Sequence, residues 1–440
     1  MLGRSVTLNV LGQVGSLVLG FVASVALARW LGPSDRGLLA VMVSVTNLGL
    51  AVAGLGLPFA VMYFASRDSD SGALLGNSLL ASAVLAAIFV PGFWLFRDEL
   101  ESAFGHGQGG LVWVLAAVLV PVTFLDWSTH NQLLGKLRFG AYNLLVVVSK
   151  LVALVAVIAL VRVLDLGLAG GVLAVACGSF VVAAGSAALI LGDGAPRLSW
   201  PLFGELLQYG RRVQIGTVLQ VLNYRFDVVI VQFFRPLASV GYYVVAQILA
   251  ELVIVLARGF QSSVVPLVAG SEGEARQAET TVAAVRHHGI LAAAGIVANA
   301  VFSPLAITLA FGSQFHAAIL PFFILLPGMW FLGTSAVVAS DLSGRGRPGL
   351  ASSLAAGAAV ITVALDLALI PPFGVPGAAV ASLVTYTAFG IASLIALHRV
   401  TGIPIRTLVV PERHDFLAYS TTLRRLFGQR QPIDPAEQIR

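Results

Sequence analysis

The residues able to do chemistry in this chain are few, and they stand inside apolar runs: Asp126, Lys150, Arg225, Asp227, Glu251, Arg258 and Asp366. An ionisable side chain in hydrocarbon is costly, so it faces a bundle interior or a watery cavity and marks a path for an ion or a polar cargo. The densest group occupies two consecutive runs. From the connection near Ala238, Arg225 lies 13 residues back and Glu251 13 residues forward, so the two are expected at one depth. Asp227 lies slightly nearer the connection. Arg258 follows Glu251 by seven residues, on the same helix face and about 10 Å further along. The first of these runs also carries Gln214, Thr217, Gln220, Asn223, Tyr224 and Gln232, more polar surface than a lipid-facing helix bears. That places both runs against a water-filled cavity. Two arginines there suit an anionic head group, because guanidinium stays charged and its fork matches phosphate oxygens. Neutralisation of Arg225 by Asp227 or Glu251 is the alternative, and both readings stay open.

Asp126 and Lys150 fall 11 residues before and 13 after Leu137, at similar depth on a helical hairpin, where they can form an ion pair locking two helices. Asp366, near the far end of its run, suits a coupling cation or is simply a water-exposed helix end. Asn9, Gln13, Ser16 and Ser24 in the first run, with Arg29 at its end, and Ser44, Thr46 and Asn47 in the second would line the opposite wall.

The elements that hold these groups follow from composition. Of 440 residues 58% are hydrophobic and only 11% charged, with a mean hydropathy of +0.92. A soluble domain carries about 25% charged residues, so a water-facing globular fold is excluded. Twelve spans are predicted, at roughly 7 to 30, 38 to 65, 74 to 96, 111 to 134, 140 to 161, 168 to 192, 213 to 234, 241 to 265, 289 to 311, 317 to 339, 350 to 370 and 377 to 397. Their length and abundant Gly point to helices rather than barrel strands. The first run is too long for a signal-peptide core and is kept as a helix. With both termini in the cytoplasm, 18 basic residues fall inside and five outside (Arg29, Arg36, Arg97, Arg162 and Arg235), as the positive-inside rule asks. A lone Cys177 excludes an internal disulfide framework.

The chain repeats. Gly135-Lys136-Leu137-Arg138-Phe139-Gly140 matches Gly344-Arg345-Gly346-Arg347-Pro348-Gly349 at an offset of 209, and Gly167-Leu168-Ala169-Gly170 matches Gly374-Val375-Pro376-Gly377 at 207. A six-span repeat keeps its orientation in the membrane, giving a direct repeat with a cleft between lobes. The expected domains are an N-lobe over 1–195, an amphipathic interfacial linker over 196–212, a C-lobe over 213–398 and a basic cytoplasmic tail over 399–440. His287-His288 is an adjacent pair at a span mouth, not spaced for metal. Trp30, Trp94 and Trp113 read as interfacial belt residues. Phosphate loops, HExxH and paired cysteines are absent from the sequence, which argues against an ATP-driven pump or a metalloprotease.

Ala28-Arg29-Trp30-Leu31-Gly32-Pro33 followed by Gly37, then Gly54-Leu55-Gly56-Leu57-Pro58, and the glycine motifs opening the sixth and twelfth spans resemble the multidrug/oligosaccharidyl-lipid/polysaccharide exporter superfamily. Within it the chain looks like a bacterial polysaccharide flippase, over nearly all its length up to about residue 400. The resemblance implies an all-α integral membrane protein of 12 transmembrane helices, in two six-helix lobes that form a V around a central cavity. It implies alternating access driven by a proton or sodium gradient, without a cofactor. The implied cargo is an undecaprenyl-diphosphate-linked oligosaccharide turned from the inner to the outer leaflet of the bacterial inner membrane. The implied partners are membrane lipids, a polysaccharide polymerase and glycosyltransferases, not nucleic acid. Substrate binding is then expected of Arg225, Arg258, Asn223, Tyr224, Gln220 and Arg29, and ion coupling of Glu251, Asp227, Asp126 and Asp366. The first two spans lack the central arginines of the lipid II flippases, and twelve spans are not fourteen, which weakens a lipid II reading. The rivals are a cation-coupled drug exporter of the same fold, which would favour free carboxylates over arginines, and a membrane glycosyltransferase or ligase. The latter needs a larger outer loop than Arg97 to Gly110.

Overall fold

The computed structural model describes residues 2–67, 69–105, 110–255, 257, 264, 268, 273–412 and 415; for 2–14, 220, 224 and 274 it describes the backbone alone. Every regular element among them is helical: α1 (Leu2–Ala53), α2 (Leu57–Ala65), α3 (Ser71–Leu95), α4 (Arg97–Phe104), α5 (Val112–Gly135), α6 (Phe139–Ala156), α7 (Gly167–Leu191), α8 (Trp200–Phe234), α9 (Leu237–Ala250), α10 (Glu274–Ala306), α11 (Ile319–Gly344), α12 (Pro348–Phe373), α13 (Val375–Thr401) and α14 (Ile405–Val409). Helices satisfy every backbone group within one segment, which a lipid-facing apolar run requires.

Nine helical stretches among the described residues are long and apolar enough to cross a membrane. The difference from the twelve predicted has local causes. The first two predicted spans are arms of one helix, α1, broken at Gly32 (φ 74°, ψ 176°), a conformation suited to glycine. Pro33, which has no N–H to lose, opens the second arm. That arm stops at Ala53, and the chain turns through Gly54-Leu55-Gly56 into α2. The predicted seventh span is continuous with the linker in α8, and the predicted eighth runs beyond α9 into residues outside those described.

The repeat is visible in turn geometry. Leu137 (φ 58°) and Gly346 (φ 73°) are left-handed at the same point of their turns. Arg138 N–H donates to Leu133 O at 2.9 Å, and Arg347 N–H to Leu342 O at 2.8 Å. Gly167 (φ 50°) and Gly374 (φ 64°), the second matched pair, are left-handed as well.

Two compact units divide the chain. Unit one takes Met1–Leu249, Val301–Leu325 and Ala355–Ser382; unit two takes Ala250–Ala300, Leu326–Leu354 and Leu383–Arg440. A core of unit one gathers Leu50, Leu57, Val61, Leu74, Leu85 and Phe124. Leu206 of α8 joins it, with Leu202, Phe203, Leu207 and Tyr209 packed alongside, so these side chains of the linker lie on protein, whereas Leu198 and Trp200 are exposed. Tyr209 stacks on Tyr63 at 4.3 Å. A core of unit two gathers Val285, Val337, Val338, Leu342, Leu397 and Leu408. His288 is fully buried in that unit, beside Gly333 and Trp330, rather than interfacial. Trp113 is likewise a core residue packed on Phe104, not a belt residue.

Within unit one a glycine seam joins the second arm of α1 to α9. A β-carbon on Gly37 would stand 2.0 Å from Leu237 O, and one on Gly241 2.1 Å from Pro33 O. The two backbones touch because neither position carries a side chain. Beside the seam, Arg29 Nη2 donates to Leu309 O at 2.5 Å, and Phe21 packs edge-on to Phe311. At the α5–α6 turn, Asp193 accepts from Arg138 at 2.5 Å and Lys136 at 3.1 Å. Asp70 caps α3 by accepting from Ala73 N–H and pairs with Arg197.

Two outcomes follow. Gly37→Val or Gly241→Val should destabilise the detergent-solubilised chain by about 1–3 kcal/mol, the cost of overpacking. Gly216→Ala, on a helix face with open space, should leave its melting temperature unchanged or higher. Burial opposes the charge of Asp193, but the hydrogen bonds from Arg138 and Lys136 outweigh it and hold its carboxyl below the usual range. Its stabilisation is therefore full above the unfolded value, about 3.9, and is lost as pH falls through the lower folded value. Asp193→Asn should flatten the fall in melting temperature below about pH 4; an unchanged slope refutes the assignment.

Candidate ion and substrate sites

Asn223 and Asp227 stand one turn apart on α8, and Thr362 and Asp366 one turn apart on α12. Spacing by four puts each pair on one helix face. In unit one the two faces meet: Thr362 Oγ1 donates to Asn223 Oδ1 at 2.7 Å. One turn along, Asp227 and Asp366 follow on the same two faces, which brings their carboxyls near each other. Asp227 is 2% exposed and accepts from Tyr243 Oη at 2.6 Å, Gln247 Nε2 at 3.0 Å and Val228 N–H at 2.7 Å. Tyr243 and Gln247 are themselves one turn apart on α9. The Tyr243 hydroxyl also reaches Ser382 Oγ of α13 at 3.2 Å. Four helices thus converge on two carboxylates.

Asp366 is fully buried, and neither of its carboxyl oxygens has a hydrogen-bond partner among the described residues. It is not the water-exposed helix end offered as one reading of the sequence. The helix runs on to Phe373 and turns straight into α13 at Val375, which leaves Asp366 inside. A buried carboxyl lacking a donor, beside a second carboxyl, needs a proton or a cation to offset it. Carboxylate, phenol and hydroxyl oxygens are hard donors suited to either.

The other predicted site residues are placed differently. Arg225 is half-buried on α8 in unit one, and Glu251 is half-buried in unit two, on a 3₁₀ turn following α9. Arg29 is exposed and engaged with the Leu309 carbonyl. Asp126 pairs with His130, one turn away on its own helix, at 3.0 Å rather than with Lys150. Lys150 is exposed and passes Gly20 of α1. Arg258 and the side chains of Gln220 and Tyr224 lie outside the described residues. Part of the polar stripe on α8 caps helices instead of lining a cavity. Gln214 Nε2 donates to Ala51 O and Val52 O at the end of α1, and Gln232 Nε2 to Ala103 O at the end of α4.

Sequence reasoning missed Tyr243, Gln247, Thr362 and Ser382, although the first two carry a signal: polar residues at i and i+4 in an otherwise apolar run. It also missed Arg36, counted there among loop residues. In the structure Arg36 lies within the second arm of α1, only 8% exposed, with Nη2 at 3.5 Å from Ser24 Oγ and Nε without a partner among the described residues.

A probable low-salt glycan biosynthesis flippase of Haloferax volcanii is 22% identical over 383 residues, covering 84% of this chain and 77% of the relative. A succinoglycan biosynthesis transport protein of Rhizobium meliloti is 23% identical over 136 residues, 31% of this chain and 27% of the relative. Among solved structures, the lipid II flippase MurJ in an inward closed conformation superposes with a TM-score of 0.76 at 14% identity, over 97% of this chain and 94% of that one. An inward-facing multidrug resistance transporter of the MATE family, in the MOP superfamily, does so with a TM-score of 0.65 at 17% identity, over 90% and 94%. The fold is the one those transporters share. The family described as polysaccharide biosynthesis protein matches residues 2–271, more than half of the sequence, and the chain belongs to that family.

Proposed function

We propose that this protein flips a lipid-linked oligosaccharide, a polysaccharide repeat unit on an undecaprenyl diphosphate, from the inner to the outer leaflet of a bacterial inner membrane. Transport is coupled to a proton or sodium gradient and proceeds by alternating access of two six-helix lobes, 1–195 and 213–398, with both termini cytoplasmic. Family membership and the glycan flippase relative support the cargo class. The observation that carries the coupling is the buried Asp227–Asp366 pair. Two carboxyls held together by four helices bind a proton or cation well only while those helices stay packed, so occupancy and helix arrangement are linked. Arg225 serves the anionic end of the cargo, with Arg258 as its expected partner, and polysaccharide polymerases and glycosyltransferases are the expected neighbours in the pathway.

Reconstitution in liposomes with a fluorescent polyprenyl-diphosphate oligosaccharide tests this, with and without an imposed proton or sodium gradient. One of the two gradients should accelerate leaflet transfer. Asp227→Asn or Asp366→Asn should reduce that acceleration on the order of tenfold or more, the scale of a coupling free energy between sites, while membrane insertion is unchanged. Arg225→Ala should slow transfer with and without the gradient. Gradient-driven efflux of small organic cations, with no movement of the labelled oligosaccharide, would sink the flippase reading in favour of a drug exporter.

A further inference from the structure

We infer that residues 402–415 are a latch on unit two, a second copy of the strap between α7 and α8, drawn shut by Arg286 as its positioning residue.

The sequence after α13 repeats the sequence after α7. Gly194-Ala195-Pro196 and Ser199 return 208 residues later as Gly402-Ile403-Pro404 and Thr407. Glu205-Leu206-Leu207-Gln208-Tyr209 returns at 210 as Asp415-Phe416-Leu417-Ala418-Tyr419, in line with the offsets of 207 and 209 seen in the helical repeat. The correspondence extends to single bonds. In unit one, Asn77 of α3 holds the strap by the backbone of Ser199, donating from Nδ2 to its carbonyl at 3.0 Å and accepting its N–H at 3.2 Å. In unit two, the residue 209 positions after Asn77 is Arg286 of α10. Its Nε donates at 2.7 Å to the carbonyl of Thr407, the match of Ser199.

The two straps are held by different means. On α3, Gly72 and Gly76 leave no room for a side chain against Ala195 O and Arg197 O, so the strap lies on the helix backbone itself. Arg197 N–H donates to Gly72 O at 3.1 Å, and its guanidinium pairs with Asp70. A short amide is enough there. The matching positions of α10 are Thr281 and Val285, whose side chains exclude such backbone contact, and a long arginine stands where the asparagine was. That one buried guanidinium ties three points of the strap: Thr407 O from Nε, Glu412 from Nη2 at 2.5 Å and Asp415 from Nη1 at 3.5 Å. Glu412 N–H then folds the strap onto Asp415 Oδ2 at 2.7 Å. Asp415 is buried, although its match Glu205 is exposed.

Leu408 supplies the apolar hold. It is fully buried in the core formed by Val285 near the start of α10, Val338 and Leu342 near the end of α11, and Leu397 near the end of α13. A closed strap therefore seats the ends of three helices on one another. A strap lying on a helix backbone lifts only if several contacts break together. One drawn in by a single side chain, with its Glu412 partner open to water, lifts as a local unit when that side chain lets go.

Hydrogen exchange read by mass spectrometry on the full-length protein in detergent tests the latch. In Arg286→Gln the amides of 405–412 should exchange about tenfold faster or more than in wild type, with those of 193–206 unchanged. Asn77→Ala should leave 193–206 within about twofold of wild type, because the glycine contacts remain. Arg286→Lys, which keeps the charge but loses the fork, should fall between wild type and Arg286→Gln. Glu412→Gln combined with Asp415→Asn should open the same segment, and it serves if Arg286→Gln does not fold. Equal protection of 405–412 in wild type and these variants would overturn the latch. So would a speeding of exchange spread evenly over unit two, the mark of a general loss of stability. In liposomes, Arg286→Gln should slow transfer of the labelled oligosaccharide about tenfold with and without a gradient, as loosened helix ends stop moving together. An open strap with undiminished transfer removes the latch from the transport cycle and leaves the flippase reading standing. A wild type that moves no oligosaccharide sinks that reading, and the exchange result still decides whether the latch exists.

Discussion

In a region without water each charge has to find its counterpart within the chain, and the second-half helices of unit one are arranged around that demand at Asp227. Its carboxylate draws donors from α8 and α9, Tyr243 extends the network to Ser382 of α13, and the Asn223–Thr362 bond a turn away fastens α12. None of these side chains is well placed alone. Each hydrogen bond is strong because the surroundings are apolar, and for the same reason an unmet donor or acceptor there is expensive.

Among the described residues of unit two, the buried charges of Arg286, Asp341 and Arg345 are met by the chain itself. Arg345 lies against Asp341, Thr281 and Gln277, and Arg286 donates to Thr407 O and pairs with Glu412 and Asp415. Those clusters tie α10 to α11 and to the segment after α14, a structural use of charge. In unit one, by contrast, Asp366 and Arg36 are buried with polar atoms left over. Mutually satisfied charges rigidify; unsatisfied ones hold a place for something from outside.

Glycine sets where the helices can meet. Gly37 and Gly241 let two backbones touch, and Gly32 lets one long helix change direction without a loop. The helix is interrupted at Gly32, and the chain turns again at Gly54-Leu55-Gly56. The carbonyls freed at the second break are met by Gln214 of α8. A side chain that looks like cavity lining in the sequence is in this way part of the helix end.

Hydropathy, Gly content and charge scarcity alone establish a helical membrane protein, and the paired motifs at offsets of 209 and 207 anticipate the matching left-handed turns at Leu137 and Gly346 and at Gly167 and Gly374. Helical spacing also singles out Asn223 with Asp227. Depth along a run, however, is a one-dimensional measure. It set Asp126 beside Lys150, whereas the nearer partner was His130, a turn away on the same helix. It left Arg36 in a connection, because a glycine break followed at once by a new helical arm looks the same in hydropathy as a loop. It could not pair Asp227 with Asp366, 139 residues further on, since nothing in either run states which face turns toward the other. Composition decides whether a residue enters the membrane; only the packing of α8, α9, α12 and α13 decides which buried charges meet, because that depends on helix rotation and close approach.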